Sequence, residues 1–280
     1  MPFLELFDET LDINSTENYE LSVQAGPYDL SFCILDTLRN KFVLLRSYEP
    51  EENNTYDADK LRDIISRDDF LPRHFRKTNL ITPAPQSTLV PAALYDDSKR
   101  DEYFKFNQIL KEGDSILSNK LADPDVFIIF TLPDPVIEML KIAFPGKILL
   151  HQLNPLFRYI NSNRGSVSTN DVYIHFEKGY FDIIIFNQNS LKLCNTFYYQ
   201  FISDIQYFVL YVLKRMNIHQ DEPVYLSGKI LKNNEILSNF SRYLSSVKFA
   251  EPATNPTFSY VFNDTDLHRY LNLFNSVNCE

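Results

Sequence analysis

The amino-acid sequence predicts a mixed α/β protein that contains the same structural unit twice. Two stretches, Leu21–Tyr48 and Val172–Tyr199, each have the pattern of three short apolar strands joined by polar or glycine-containing turns. After each stretch, segments with helical periodicity alternate with short apolar runs. Hydrophobic residues make up 44% of the 280 residues, which is sufficient for a folded protein with a large core.

The first half of the chain predicts the order strand, strand, strand, helix, strand, helix, strand, helix. Short apolar runs bounded by turn residues predict strands, and apolar residues at every third or fourth position predict helices. The predicted strands are Leu21–Gln24, Leu30–Leu35, Phe42–Leu45, Asp125–Leu132 and Lys147–Gln152, and the predicted helices are Tyr56–Phe70, Val136–Phe144 and Asn154–Ile160. Asp57 or Thr55 would cap the first helix. Asp125–Leu132 is the most apolar run and predicts a strand that is buried on both faces.

Two stretches of the first half do not fit this order. Met1–Glu20 is polar and rich in turn residues, and we expect it to be irregular. Residues 73–121 are interrupted by prolines, notably in the extended stretch Asn79–Pro85, and contain one short amphipathic helix, Tyr103–Leu110. We interpret residues 73–121 as an insertion into the first half.

The second half repeats the order of elements. Its predicted strands are Val172–Phe176, Phe181–Phe186, Leu191–Tyr198, Pro223–Leu226 and Val247–Phe249, and its predicted helices are Ser203–Met216, Asn234–Leu244 and Asp264–Phe274. Ser203 would cap the first of these helices. The segment Asn161–Asn170 is rich in Asn, Ser and Gly, which is typical of a linker. We therefore expect two lobes, residues 1–165 and 166–280.

The two halves also match at single residues. Gly26 and Gly179 are separated by the same number of residues as Asp29 and Asp182. A duplicated unit in which strands precede alternating helices and strands predicts a mixed sheet with helices packed on its faces.

Several motifs support a resemblance to a known family. They are T-P-A-P-Q-S-T-L-V-P at Thr82–Pro91, L-S-G at Leu226–Gly228 and the terminal Cys279-Glu280. With them the chain resembles a Bacteroidetes family of uncharacterised proteins assigned to the actin-like ATPase fold. This fold consists of two ribonuclease-H-like units and is shared by actin, the seventy-kilodalton heat-shock chaperones, sugar kinases and pilus assembly proteins of the PilM type.

The resemblance implies three candidate nucleotide loops. In the wider fold ATP lies between the two halves, the first turn of each half holds phosphate through backbone N–H groups, and a carboxylate at a strand end holds the metal ion. A third loop, usually with paired glycines, admits adenine. The matching candidate residues in this chain are Gln24, Gly26, Glu177, Lys178, Gly179, Ser227 and Gly228.

All three loops depart from the pattern of the fold. Gln24 stands where a carboxylate would face the metal ion, and a neutral amide is a poor ligand for Mg²⁺. Pro27 removes one backbone N–H donor. The second and third loops contain one glycine each, and the sequence has no G-x-x-x-x-G-K-S/T motif. A role of these residues as turn formers is therefore the favoured interpretation, and Glu177 and Lys178 remain the candidates for residual chemistry.

Composition and charge limit the functional classes. The net charge of −10 gives no general electrostatic attraction to nucleic acid or to anionic lipid. No signal peptide, membrane span or metal-binding Cys/His spacing is evident, so we expect a reduced, cytoplasmic, soluble protein without a metal site.

Three functions follow as hypotheses. The favoured one is a non-catalytic interaction or scaffold protein that has no cofactor and binds another, unidentified protein. The alternative is an ATP- and Mg²⁺-dependent ATPase or phosphotransferase that uses the cleft between the lobes. A ribonuclease-H-type nuclease would need clustered carboxylates; Asp29 and Asp36 flank one strand, but the net charge and the missing carboxylate on the first strand argue against it.

Overall fold

The computed structural model describes residues 1–51, 54–164, 170–188, 190–232 and 235–277. The expected lobe boundary at 165/166, the expected helix start at Asn234 and the motif residues Cys279 and Glu280 lie outside the described residues.

The secondary structure is mixed. The strands are β1 Leu4–Phe7, β2 Tyr19–Ala25, β3 Leu30–Asp36, β4 Lys41–Tyr48, β5 Lys77–Thr82, β6 Ser87–Pro91, β7 Asp114–Leu121, β8 Val126–Pro133, β9 Leu149–His151, β10 Asn170–Glu177, β11 Tyr180–Asn187, β12 Ser190–Tyr198, β13 Val224–Gly228, β14 Val247–Phe249 and β15 Thr257–Phe258. The α-helices are α1 Ala58–Arg67, α2 Arg100–Asn107, α3 Asp134–Ala143, α4 Leu153–Asn163, α5 Ile202–Arg215, α6 Glu235–Phe240 and α7 Leu271–Ser276.

The chain divides into two compact units. Unit 1 comprises residues 1–158, 253–265 and 272–280, and unit 2 comprises residues 159–252 and 266–271. The expected assignment of residues 1–165 and 166–280 to two lobes stays a prediction.

Unit 1 is built on one large mixed sheet with the strand order β1-β4-β3-β2-β5-β9. Strands β2, β3 and β4 form an antiparallel meander, and β5 and β9 continue the sheet in parallel with β2. Every residue of β3 is buried, which explains its nearly continuous apolar sequence. The expectation of an irregular N-terminus is partly wrong, because β1 pairs with β4 and thereby adds an edge strand.

A second, three-stranded antiparallel sheet also belongs to unit 1, with the order β6-β8-β7. Helix α2 packs on it through Phe104, which is fully buried against Val90, Ile116 and Ile129. These elements lie in the chain between β5 and α3, and they are additional to the repeated unit.

The assignment of the fourth core strand requires a correction. The apolar run Asp125–Leu132 does form a strand, β8, but β8 is the centre of the three-stranded sheet. The strand that pairs with β2 is β5, from within the stretch predicted as an insertion. The prolines at 83 and 85 come after β5 has ended, so they terminate this strand without interrupting it.

Unit 2 contains one five-stranded sheet with the order β12-β11-β10-β13-β14. Strands β10 to β12 are antiparallel, and β13 and β14 are parallel to β10. One face of this sheet packs against α5 and α6 in a core that includes Ile174, Phe181, Ile205 and Val209.

The two units therefore share one topology. In each of them the third, second, first, fourth and fifth strands of the repeat lie side by side in that order, and the first three are antiparallel. The predicted duplication is thus visible in the strand order.

Helix ends follow from single polar side chains. Of the two predicted caps of α1, Asp57 is the one that acts, because its carboxylate accepts a hydrogen bond of 2.8 Å from the Lys60 N–H. The predicted cap of α5 by Ser203 is wrong. The Asp204 carboxylate reaches back and accepts hydrogen bonds from the N–H groups of Phe201 (2.9 Å) and Gln200 (3.0 Å).

Candidate functional site

The predicted correspondence between the two first hairpins shifts by two residues in the structure. In unit 1, the Gly26 N–H donates to the Asp29 carbonyl (2.9 Å) and closes a turn. In unit 2, the turn is closed between Glu177 and Tyr180. Gly26 therefore corresponds to Glu177, not to Gly179.

Strand register then identifies a row of polar residues at the same place in each unit. In unit 1, Gln24 lies opposite Ser31, and Ser31 lies opposite Ser47. In unit 2 the corresponding row is His175, Asp182 and Thr196. Asp182 thus corresponds to Ser31, whereas the sequence spacing paired Asp182 with Asp29.

The first candidate loop is closely packed. Gln24 is the second-to-last residue of β2 and is only 6% exposed. Gly26 is also buried, and a Cβ atom at its position would lie 3.2 Å from the ring of Pro83. The part of this loop that reaches solvent is Pro27 and Tyr28, and Pro27 has no N–H to offer a phosphate.

The Asp29 carboxylate, which follows this loop, is hydrogen-bonded within unit 1. Ser31 Oγ donates to Asp29 Oδ2 (3.0 Å) and accepts from Ser47 Oγ (2.8 Å), because its single hydroxyl proton points to the carboxylate. Asp36 lies at the other end of β3, where its carboxylate accepts from the N–H groups of Leu38 and Arg39. The two aspartates are separated by the length of a strand, about 20 Å, so they do not form a shared metal site.

The second candidate loop is the turn between β10 and β11. Glu177 is 5% exposed, whereas Lys178 is exposed to solvent. Gly179 has φ = +86°, and a Cβ atom built on it would meet no atom within 4 Å. This turn is therefore the most open of the three candidate loops.

The third candidate loop is pressed against a neighbouring strand. Gly228 has φ = +84°, and a Cβ atom at this position would lie 2.1 Å from the carbonyl oxygen of Phe176. The same carbonyl accepts a hydrogen bond of 2.7 Å from the Lys229 N–H. Only glycine satisfies both the positive φ and the close approach of β13 to β10.

A histidine connects the second and third loops. His175 Nδ1 lies 2.8 Å from Ser227 Oγ, and His175 Nε2 lies 3.5 Å from Glu177 Oε1. All three residues are at most 5% exposed. A hydroxyl, an imidazole and a carboxylate in line can activate a nucleophile, but only where a substrate reaches the hydroxyl. Here the hydroxyl is buried, and the geometry favours an internal hydrogen-bond network.

Asp182 lies opposite His175 on the neighbouring strand β11, and its own hydrogen bond runs to the edge strand β12. Thr196 Oγ1 donates to Asp182 Oδ1 at 2.5 Å. Burial, together with the nearby Asp182 charge, raises the pKa of Cys194 well above its usual value, so this thiol stays protonated at neutral pH.

Sequence reasoning did not single out His175 or Thr196, and it used Asp182 only as a repeat marker. His175 and Asp182 are polar residues within largely apolar strands, and Thr196 lies in the more polar strand β12. Since residues at i and i+2 face the same side of a strand, His175 and Glu177 share a face. One polar residue in each of three consecutive strands was the sequence signal that could have pointed to this row.

Neither a metal site nor a membrane helix is found in the part of the chain that the structure describes. In those residues no group of three or more His, Cys, Asp or Glu side chains could hold a metal ion. The described helices are also too short or too polar for any of them to cross a bilayer.

Comparison with known proteins places the chain in a family. The model of the family described as "Protein of unknown function (DUF3822)" matches residues 8–247. The chain belongs to this family. No curated protein matches the chain.

Two solved structures show the fold. The first is a protein from Bacteroides thetaiotaomicron VPI-5482 described as having an actin-like ATPase fold and unknown function. It is 22% identical, with 86% of this chain and 93% of that chain covered and a TM-score of 0.76. The second is the PilM-PilN type IV pilus biogenesis complex, with 9% identity, 92% and 98% coverage and a TM-score of 0.54. The predicted family resemblance and the predicted actin-like ATPase architecture are confirmed.

Proposed function

We propose that this protein is a non-catalytic interaction or scaffold protein whose nucleotide loops have become structural parts of an actin-like ATPase fold. The observation that carries the proposal is the packing of Gly228. In the wider fold this glycine leaves room for adenine. Here the space beside its Cα is filled by the Phe176 carbonyl of the neighbouring strand.

The other two loops support the same conclusion. Gln24 replaces a metal-binding carboxylate and is nearly buried, and Gly26 packs against Pro83. Glu177 lies at ion-pair distance from His175 in a buried network. A nucleotide site needs backbone N–H groups and a carboxylate that face a ligand, and these residues face the interior of their own units.

The likeness to the PilM-PilN complex supports a protein partner. That structure contains a protein with this fold together with a second protein. By this analogy we infer that the chain acts by holding another protein, without nucleotide turnover.

Isothermal titration calorimetry with Mg-ATP, Mg-ADP and Mg-GTP tests the proposal. We expect no saturable heat with any of the three nucleotides. A micromolar dissociation constant for any of them would overturn it.

One observation favours the second candidate, an ATPase or phosphotransferase. Lys178 is exposed, and the space around Gly179 is open, so the turn between β10 and β11 could meet a phosphate. Phosphate release from Mg-ATP that is lost in Lys178→Ala and in Glu177→Gln, but kept in Lys192→Ala on the exposed surface of β12, would establish this candidate.

A further inference from the structure

The outer face of helix α5 carries an aromatic surface that the core does not use. Ile205, Val209, Val212 and Leu213 form the buried face of this helix. On the opposite face, Tyr207 and Tyr211 are 63% and 46% exposed. Isolated exposed apolar residues are common, but these two belong to one continuous surface.

The two tyrosines form an ordered pair. They are four residues apart on the helix, and their rings stack with centroids 6.0 Å apart and planes 16° apart. Arg215 extends the line by one more turn, since its guanidinium lies 5.5 Å from the centre of the Tyr211 ring and its Nε donates to Tyr211 Oη (3.1 Å). Beside this line lies a shallow depression of about 420 Å³, lined by Ser203, Gln206, Tyr207, Leu210, Tyr211 and Lys214.

The charge of this surface is opposite to that of the whole protein. Lys214 is the charged residue that lines the depression, and Arg215 lies next to it at the last turn of α5. No carboxylate among the residues that the structure describes lies within ion-pair distance of Lys214 or Arg215. The chain as a whole has a net charge of −10. Asp204 lies at the opposite end of the same face, where its carboxylate accepts hydrogen bonds from the Gln200 and Phe201 N–H groups. The basic and aromatic end of this surface, on an acidic protein, complements an acidic ligand.

We propose that the outer face of α5 binds an acidic segment of a partner protein that also carries apolar side chains. The apolar side chains would lie against Tyr207 and Tyr211, and the carboxylates would pair with Lys214 and Arg215. Tyrosine and arginine are the residue types that dominate binding energy at protein interfaces. Repulsion between two chains of charge −10 disfavours a second copy as the occupant. This inference rests on the proposed interaction function and names its surface and partner class.

Fluorescence anisotropy with three labelled peptides of about twelve residues tests the proposal. The first peptide combines Leu and Phe with Glu, the second has Lys in place of Glu, and the third has Ser in place of Leu and Phe. We expect only the first to bind, with an affinity that falls as salt rises from about 0.05 to 0.5 M.

Variants of the full chain locate the binding. Tyr207→Ser combined with Tyr211→Ser should weaken the first peptide at least about tenfold. Lys214→Glu combined with Arg215→Glu should reverse the preference and favour the Lys peptide. Tyr260→Ser removes a tyrosine of similar exposure, 62%, in unit 1 and should leave binding unchanged.

Three results would overturn the inference. The first is equal binding, or no binding, of the three peptides. The second is a loss of peptide affinity in Tyr260→Ser equal to that in the Tyr207/Tyr211 variant. The third is a dimer in sedimentation that the Tyr207/Tyr211 variant abolishes, because such a dimer would assign this face to a second copy. The proposed function fails separately, through nucleotide binding or hydrolysis. A chain that binds neither peptide nor nucleotide would refute only the α5 surface.

Discussion

Replacing Gly228 by alanine separates a structural role from a ligand-binding role. In the structure, the new Cβ atom would lie 2.1 Å from the Phe176 carbonyl oxygen, and ordinary contact begins near 3.4 Å. Strands β10 and β13 would therefore have to separate by about 1.3 Å, which also strains the 2.7 Å hydrogen bond from the Lys229 N–H to the same carbonyl.

The cost has two parts. An alanine at φ = +84° costs about 1–2 kcal/mol, because the left-handed region crowds the Cβ atom. Overpacking against the neighbouring strand adds about 1–3 kcal/mol. Gly179→Ala is the matched control, since Gly179 has φ = +86° with no atom within 4 Å, and only the first part applies to it.

Urea denaturation followed by far-ultraviolet circular dichroism measures both variants without nucleotide. We expect Gly228→Ala to lower the free energy of unfolding by about 1–3 kcal/mol more than Gly179→Ala does. Equal losses in the two variants would refute the close approach of β13 to β10 and the structural role of Gly228.

Two further predictions concern unit 1. Asp68→Ala should lower the free energy of unfolding by about 3–5 kcal/mol. It removes the carboxylate 2.7 Å from the Arg46 guanidinium, which keeps Glu5 at 2.9 Å, and it also removes the acceptor of the Tyr48 hydroxyl (2.7 Å). Asp59→Ala, which removes an exposed ion pair with Arg62, should lower the free energy of unfolding by less than about 1 kcal/mol. Equal losses of unfolding free energy in the two variants, measured by urea denaturation, would contradict this reasoning. Burial lowers the pKa of His151 from 6.5 to about 4, against the opposing effect of its hydrogen bond to the Ala84 carbonyl. Between pH 6.5 and 4 the unfolded chain binds more protons at this histidine than the folded protein does. The contribution of neutral His151 to the free energy of unfolding is therefore fully present above pH 6.5, and roughly 3 kcal/mol is lost as the pH falls to 4. Urea midpoints across this range should depend less on pH in His151→Gln, and an unchanged dependence would contradict the assignment.

The architecture could be predicted from the sequence because strand patterns are local. The hairpin strands Leu30–Leu35 and Phe181–Phe186 are apolar runs bounded by turn residues, and both are strands in the structure. The Asp57 cap was also predictable, since capping depends on the side chain and the N–H groups of the next turn.

Sheet membership could not be predicted, because it depends on non-local pairing. The run Asp125–Leu132 is more apolar than Lys77–Thr82, yet the second of these pairs with β2. An apolar run shows that a strand is buried but does not show which sheet buries it. The prolines that follow Thr82 made a core strand resemble a loop.

The candidate site was predictable only in part. The positions of Gln24, Glu177 and Ser227 at strand ends followed from the resemblance to the fold. The contact of His175 with Ser227 depends on the parallel register of β10 and β13, and no local pattern specifies that register.

The most direct test of the account is the stability of the chain with and without Mg-ATP. A ligand that binds only the folded state at a thousand times its dissociation constant adds about 4 kcal/mol to the free energy of unfolding. Since these loops are proposed to be structural, urea denaturation in millimolar Mg-ATP should give the same free energy of unfolding as denaturation in Mg²⁺ alone. An increase of about 4 kcal/mol would show a micromolar nucleotide site and would contradict the account.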